Sequence, residues 1–199
     1  MKIKTVMIGA SLFSTLLLGV SSCNKEDKDS KEVAKEENKE KFDDRDDKKD
    51  ANFLVAAAEN DLVEIELGKL AQTKGVSAHV KELGKLLETQ HTESLNKVKD
   101  LAGRKNISIP TAVTEKGQDK YEKLNKETGN DFDEKFIETI ADAHKDAIDK
   151  FEKAAKDADD EEIRTFATAQ LPILNEHLGH AKAAESNHEH KEDAKKDNK

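Results

Sequence analysis

The chain has 199 residues, 39% of them charged, with a formal net charge of -9, one Tyr and no Trp. Its 34 Lys and Arg are interleaved with 43 Asp and Glu rather than gathered on a basic face. That pattern excludes the phosphate-neutralising footprint of a nucleic-acid binder. With a mean hydropathy of -0.85, such a chain lacks the material for a large sheet or a deep aromatic pocket and favours helices around a slim core.

Lys2 and Lys4 precede an apolar run from Val6 to Val20, the layout of a secretory signal peptide. The run is shorter than the ~20 apolar residues a spanning helix needs. It ends in Val20-Ser21-Ser22-Cys23, which resembles a lipobox. Residues 1–22 are therefore expected to be removed and Cys23 to carry diacylglycerol, with a further acyl chain such as palmitate on the new amine. Two or more chains give stable anchoring. The alternative is an ordinary secretory signal with an incidental Cys. Cys23 is the only cysteine, so no disulfide forms within the chain. Asn24 is not the Asp of an inner-membrane retention signal, and Lys25-Glu26-Asp27 resembles the surface-export signal of some lipoproteins. The expected address is the cell envelope, lipid-anchored to the outer membrane on its periplasmic or its outer face.

Residues 23–50 are nearly all charged and too polar to offset ordering entropy. They are expected to form a disordered tether with an r.m.s. span of about 30 Å. Four segments with helical periodicity follow within residues 51–185, near 52–74, 77–102, 130–156 and 159–184. Ser77, Asn130 or Asp131, and Asp159 or Asp160 stand at cap positions. The short breaks at Gly75 and near Ala158 make two antiparallel hairpins. Residues 103–129, with a short helix expected near 115–127, are much longer than a turn requires. The fold class expected is all-α: a four-helix ferritin-like bundle with one long crossover. Residues 186–199 read as a second charged disordered tail, holding His188 and His190.

Each helical stripe carries a polar side chain toward the core. On a 100° wheel, Glu59 and Glu66 fall among Val55, Ala56, Leu62, Val63, Leu67 and Leu70. Gln90 and His91 lie within the second stripe, His144 within the third, and Gln170 and His177 at the centre of the fourth. Counting back from the turns places Glu59 and His91 at one level, with His144 near His91 and His177 closer to Glu66. A buried polar group without a partner costs several kcal/mol, so Glu59, Glu66, His91, His144 and His177 must find one another, water or a metal. Imidazole with carboxylate suits zinc, copper or iron. Only Glu88-Thr89-Gln90-His91 has the Glu-x-x-His spacing of di-iron bundles, so the full di-iron signature is absent. Three readings stand side by side: a hydrogen-bond network, a transition-metal site, and acid/base chemistry. The chain holds no GxGxxG, GxxxxGK[ST], GxSxG, HExxH or CxxC motif, so no catalytic residue is assigned and an enzyme is not expected. His79 and His180 read as peripheral, and Pro172 as an outer-face residue that kinks the fourth helix.

The stretches Ala58–Ala71, Gln90-His91-Thr92, His144–Glu152 and Leu171–Leu178 are similar to the bacterial domain of unknown function 4142. The resemblance covers about 51–184 and implies an exported, ferritin-like bundle. Members often have Asp-His where this chain has Gln90-His91, which removes one ligand. Two functions follow as expectations. One is a membrane-anchored envelope lipoprotein binding a transition metal through inward Glu and His. The other is a non-catalytic structural or partner-binding envelope lipoprotein whose polar core is only a network.

Overall fold

The computed structural model describes residues 28–196, with side chains described through Glu185. The signal peptide expected at residues 1–22 and the expected lipidation site Cys23 lie outside the described residues. Among the described residues the regular elements are six helices and no strands: α1 Ser30–Lys41, α2 Arg45–Lys74, α3 Ala78–Arg104, α4 Glu115–Lys126, α5 Gly129–Asp157 and α6 Glu161–Lys196. None is long and apolar enough to cross a membrane.

The long helices pair as the short breaks dictate. Gly75 ends α2, and the Ser77 side chain caps α3 by accepting from the Val80 N–H at 3.2 Å. Asp160 caps α6 by accepting from the N–H groups of Glu162 at 2.9 Å and Ile163 at 3.2 Å. Capping at these positions satisfies donors that a helix start leaves without a partner. Thus α2 packs along α3 and α5 along α6, while α2 also touches α5 and α3 touches α6.

Two buried aspartates fix how the hairpins face each other. Asp133, near the start of α5, accepts the backbone N–H groups of Val76 at 2.9 Å and Ser77 at 2.8 Å. Asp50, near the start of α2, accepts those of Asp159 at 3.2 Å and Asp160 at 2.8 Å. Each hairpin's turn therefore sits at the first turns of the other hairpin, so α5 runs antiparallel to α2 and parallel to α3. Residues 105–128, α4 included, must travel the length of the molecule between them.

The core is split at its waist. One apolar cluster gathers Leu54, Leu95, Val98, Leu101, Phe151, Ile163 and Phe166. The other gathers Leu67, Leu70, Val80, Leu83, Leu87, Phe132, Phe136 and Ile140. Between them each long helix contributes buried polar residues: Asp61 and Glu64, His91 and Ser94, His144, and Gln170 and His177.

The described part of the charged segment before residue 51, from residue 28 on, is largely helical where a disordered tether was expected. α1 covers residues 30–41 and α2 begins at Arg45. Composition does not register this helix, because α1 is held by polar bonds rather than by apolar area. Its Asn38, 5% exposed, donates to the Ser108 carbonyl and accepts from the Ser108 N–H, each at 2.7 Å. Asp29 caps α1 and also accepts from the Glu115 N–H at 2.7 Å, and Ser30 Oγ accepts from the Thr111 N–H at 2.8 Å. Only Ala34 is a buried apolar residue of α1. The expected tail also differs, since the α6 backbone continues to Lys196; its Lys, Glu and Ala are as good at forming helix as they are at staying solvated. Exposed Pro172 stands within α6, which continues through it.

α2 and α3 approach closely at Gly68 and Gly84. A Cβ on Gly84 would stand 2.7 Å from the Gly68 carbonyl oxygen, and one on Gly68 would stand 2.6 Å from that of Gly84. Both obstacles are backbone, so neither can step aside. Gly84→Ala is expected to destabilise the protein by about 1–3 kcal/mol. Gly103→Ala, whose Cβ meets nothing within 4 Å, is expected to be neutral or stabilising by up to ~1 kcal/mol. Urea unfolding checks the pair, and equal midpoints for the two variants would contradict this packing.

Candidate metal centre

Three of the five residues picked from the sequence meet. His91 of α3, His144 of α5 and His177 of α6 each offer a ring nitrogen, and these atoms all lie within 4.8 Å of one another. The ring centroids are 5.0 Å apart for His144 and His177, 5.2 Å for His91 and His177, and 5.6 Å for His91 and His144. All three side chains are buried.

Glu59 and Glu66 do not join them. Glu59 lies under α1 and the crossover, with Oε2 2.5 Å from Lys31 Nζ and Oε1 accepting from Thr114 Oγ1 at 3.2 Å. Glu66 is half-exposed and pairs with Lys69 at 2.8 Å. Their places at the centre are taken by Asp61 and Glu64, 3% and 1% exposed. The physical reason is that α2 is covered on several sides, by α3, α5, α1 and α4. A wheel weighted by large apolar residues averages those faces and points between them. The inner face of α2 is instead the row Leu54, Ala57, Ala58, Asp61, Glu64, Gly68 and Ala71, spaced by three and four. Its small residues are the signal that would have found both acids, because small side chains allow the close approach seen at Gly68.

Each ring has one nitrogen engaged outward. His91 Nδ1 is 2.8 Å from Asp61 Oδ1. His144 Nδ1 is 3.0 Å from the carbonyl oxygen of Ile140, one turn back on α5. His177 Nε2 is 2.6 Å from Gln90 Oε1. Carboxylate, carbonyl and amide oxygens accept only, so each outward nitrogen donates a proton. In a neutral ring the other nitrogen then keeps its lone pair. The remaining nitrogens are His91 Nε2, His144 Nε2 and His177 Nδ1. The last two face each other at 2.9 Å, and His91 Nε2 has no hydrogen-bond partner. Asp61 Oδ2 and Glu64 Oε2 also lack one, and Glu64 Oε1 lies 3.8 Å from His144 Nδ1.

The charges divide unequally over this layer. Burial is the largest influence on Asp61 and pushes its carboxyl above the usual carboxylate range, against the His91 hydrogen bond and the nearby Ser94 hydroxyl. Burial alone would lower His91, but the Asp61 hydrogen bond and the Glu64 charge raise it above the ordinary imidazole value. His144 is lowered, chiefly by burial, with Glu64 opposing. His177 is pushed down to about 2, by burial first and then by the neighbouring His91 and His144. The two α5–α6 rings are thus held neutral, as metal ligands must be.

A family model described as "Domain of unknown function (DUF4142)" matches residues 31–184, so it takes in α1 as well as the long helices. No curated protein and no solved structure matches the chain.

The neutral rings make the metal-free fold sensitive to acid. His144 and His177 have native values below the unfolded ~6.5. Unfolding below that pH therefore takes up protons, and stability falls as pH drops. His91, raised in the native state, is charged in both states there and adds no slope. After chelator treatment, His177 is expected to take about 1.4 kcal/mol per pH unit from the free energy of unfolding below pH ~6.5, with His144 acting in the same direction. Urea midpoints at pH 7.5, 6 and 5 measure this. His177→Asn should flatten the dependence by one ring, and an unchanged slope in that variant would contradict the assignment.

Proposed function

We propose, from the premise that this chain belongs to the DUF4142 family, that it is a lipid-anchored envelope protein binding one transition-metal ion at the waist of a ferritin-like four-helix bundle. The ligands are His91 Nε2, His144 Nε2 and His177 Nδ1. The observation that carries this reading is the outward engagement of one nitrogen of every ring, which leaves the three inner nitrogens close together at the centre of the layer. Partners of this kind fix tautomer and orientation in metal sites. Asp61 would act on His91 in the carboxylate–histidine–metal arrangement. Two buried carboxylates, Asp61 and Glu64, would supply the negative charge that a divalent cation needs in an apolar interior. The up-down hairpins joined by one long crossover, with polar residues in the middle of every long helix, support the ferritin-like description.

Imidazole ligands suit zinc, copper or iron. Three histidines with the fourth position left to water or an added ligand form a site for one ion. A di-iron centre draws four carboxylates from its helices, and only two lie near this layer. His144 Nε2 and His177 Nδ1 stand 2.9 Å apart, near the ~3.3 Å edge of a tetrahedron with ~2.0 Å bonds, so loading needs only small ring movements.

The second reading is the closed hydrogen-bond network of a structural or partner-binding lipoprotein. Turning the Gln90 amide would let its N–H donate to His177 Nε2, freeing His177 Nδ1 to donate to His144 Nε2. That arrangement still leaves His91 Nε2 alone, which is why the metal reading is preferred.

Equilibrium dialysis of tag-free, chelator-treated protein against zinc, copper and iron is expected to give one tightly bound ion. His91→Ala, His144→Ala and His177→Ala should each weaken it by at least ~100-fold. Asp61→Asn should weaken it about 10–100-fold. Binding that survives all three histidine changes, or no binding by the folded wild type, would overturn the metal reading. The anchor rests on Val20-Ser21-Ser22-Cys23. Cys23→Ser is expected to move the protein from the membrane pellet to the soluble fraction and to remove the acyl mass; unchanged fractionation would refute lipidation.

A further inference from the structure

A cavity of about 250 Å³ opens between α2, α4 and α5, beside the α1 end. Its walls include Phe53, Val63 and Phe151, and Glu64 is its deepest polar residue. Glu64 is 1% exposed, and its Oε2 has no partner within the protein. A buried carboxylate oxygen without a hydrogen bond is expensive, and an occupant of the cavity that donates one would relieve that deficit.

The mouth has the opposite character. Lys31 and Glu59 line it but satisfy each other. That leaves Lys116 and Lys120 of α4 and Lys150 of α5 against the single acid Asp146. None of these three lysines has a hydrogen bond or ion pair to another described residue. In a chain of net charge -9, such an excess of ammonium groups at one opening attracts anions and disfavours a route for free cations.

We propose that this cavity binds a small organic acid with an apolar body and a hydrogen-bond donor at its far end. The acid lies among Lys116, Lys120 and Lys150, the body packs on Phe53 and Phe151, and the donor meets Glu64 Oε2. The volume lies just under the ~300 Å³ at which drug-sized pockets begin, which limits the ligand to about a dozen non-hydrogen atoms. The site does not depend on the metal reading, although Glu64 Oε1, 3.8 Å from His144 Nδ1, places the ligand one residue away from the histidine layer.

Three probes separate the elements of the claim on chelator-treated full-length mature protein, so that metal binding plays no part. They are 3-(4-hydroxyphenyl)propionate, its analogue without the hydroxyl, and its primary amide. Amide NMR titration is expected to show saturable shifts for the hydroxy acid centred on residues 53, 63, 64, 117 and 151. The other two probes should bind about tenfold more weakly. Glu64→Leu should erase the advantage of the hydroxyl, and a Lys116→Ala/Lys120→Ala double variant that of the carboxylate. No saturable shift, shifts centred elsewhere, or equal affinity for the three probes on the wild type would overturn the proposal without bearing on the histidines.

Discussion

The structure depends on a layer of polar side chains placed where an apolar core would be most stable. Three imidazoles and two carboxylates sit at the waist of the four long helices, between two apolar clusters that could otherwise have been continuous. Each buried polar group must be repaid by a partner, and most are. Yet Asp61 Oδ2, Glu64 Oε2 and His91 Nε2 are left over, and all three belong to this layer or its border. A sequence under selection for stability alone would place Leu or Ala there. Concentrated, unsatisfied polarity is what a site poised for a ligand looks like from the inside.

The rest of the fold holds that layer in register. Asp50 and Asp133 stand at corresponding places in the two hairpins, each binding the turn of the other. Eleven residues further along each helix come Asp61 and His144. Each of these meets a histidine on the second helix of its own hairpin: Asp61 Oδ1 accepts from His91 Nδ1, and His144 Nε2 stands 2.9 Å from His177 Nδ1. The two hairpins thus repeat one plan, with a carboxylate in the first and an imidazole in the second. α1 and the crossover then close one side, stapled by Asn38, Ser30 and Asp29, and with α2 and α5 they border the lysine-rimmed cavity.

The sequence carried most of this. The four amphipathic segments, their turns and the long connection were legible because periodicity and turn residues are local signals, and His91, His144 and His177 were legible because the imidazoles fell on strongly apolar stripes. The carboxylates were misplaced because α2 has no single buried face: Glu59 answers to Lys31 and Thr114 on one side, while Asp61 and Glu64 lie on a face of small residues that a hydrophobicity wheel undervalues. α1 was missed because its anchorage is long-range and polar. Asn38 and Ser108 are 70 residues apart, and no composition rule registers a pairing of that kind. The Lys116–Lys120–Lys150 mouth was invisible for the same reason, since α4 and α5 meet only in three dimensions.

X-ray absorption at the zinc edge of the zinc-loaded protein tests the central claim most directly, because it reads the ligand atoms themselves. The account predicts one zinc per chain with three nitrogen ligands at ~2.0–2.1 Å, and the outer-shell scattering of three imidazoles, which falls to two in a His177→Ala variant that retains metal at high concentration. A first shell of oxygens alone, or imidazole scattering unchanged in that variant, would contradict it.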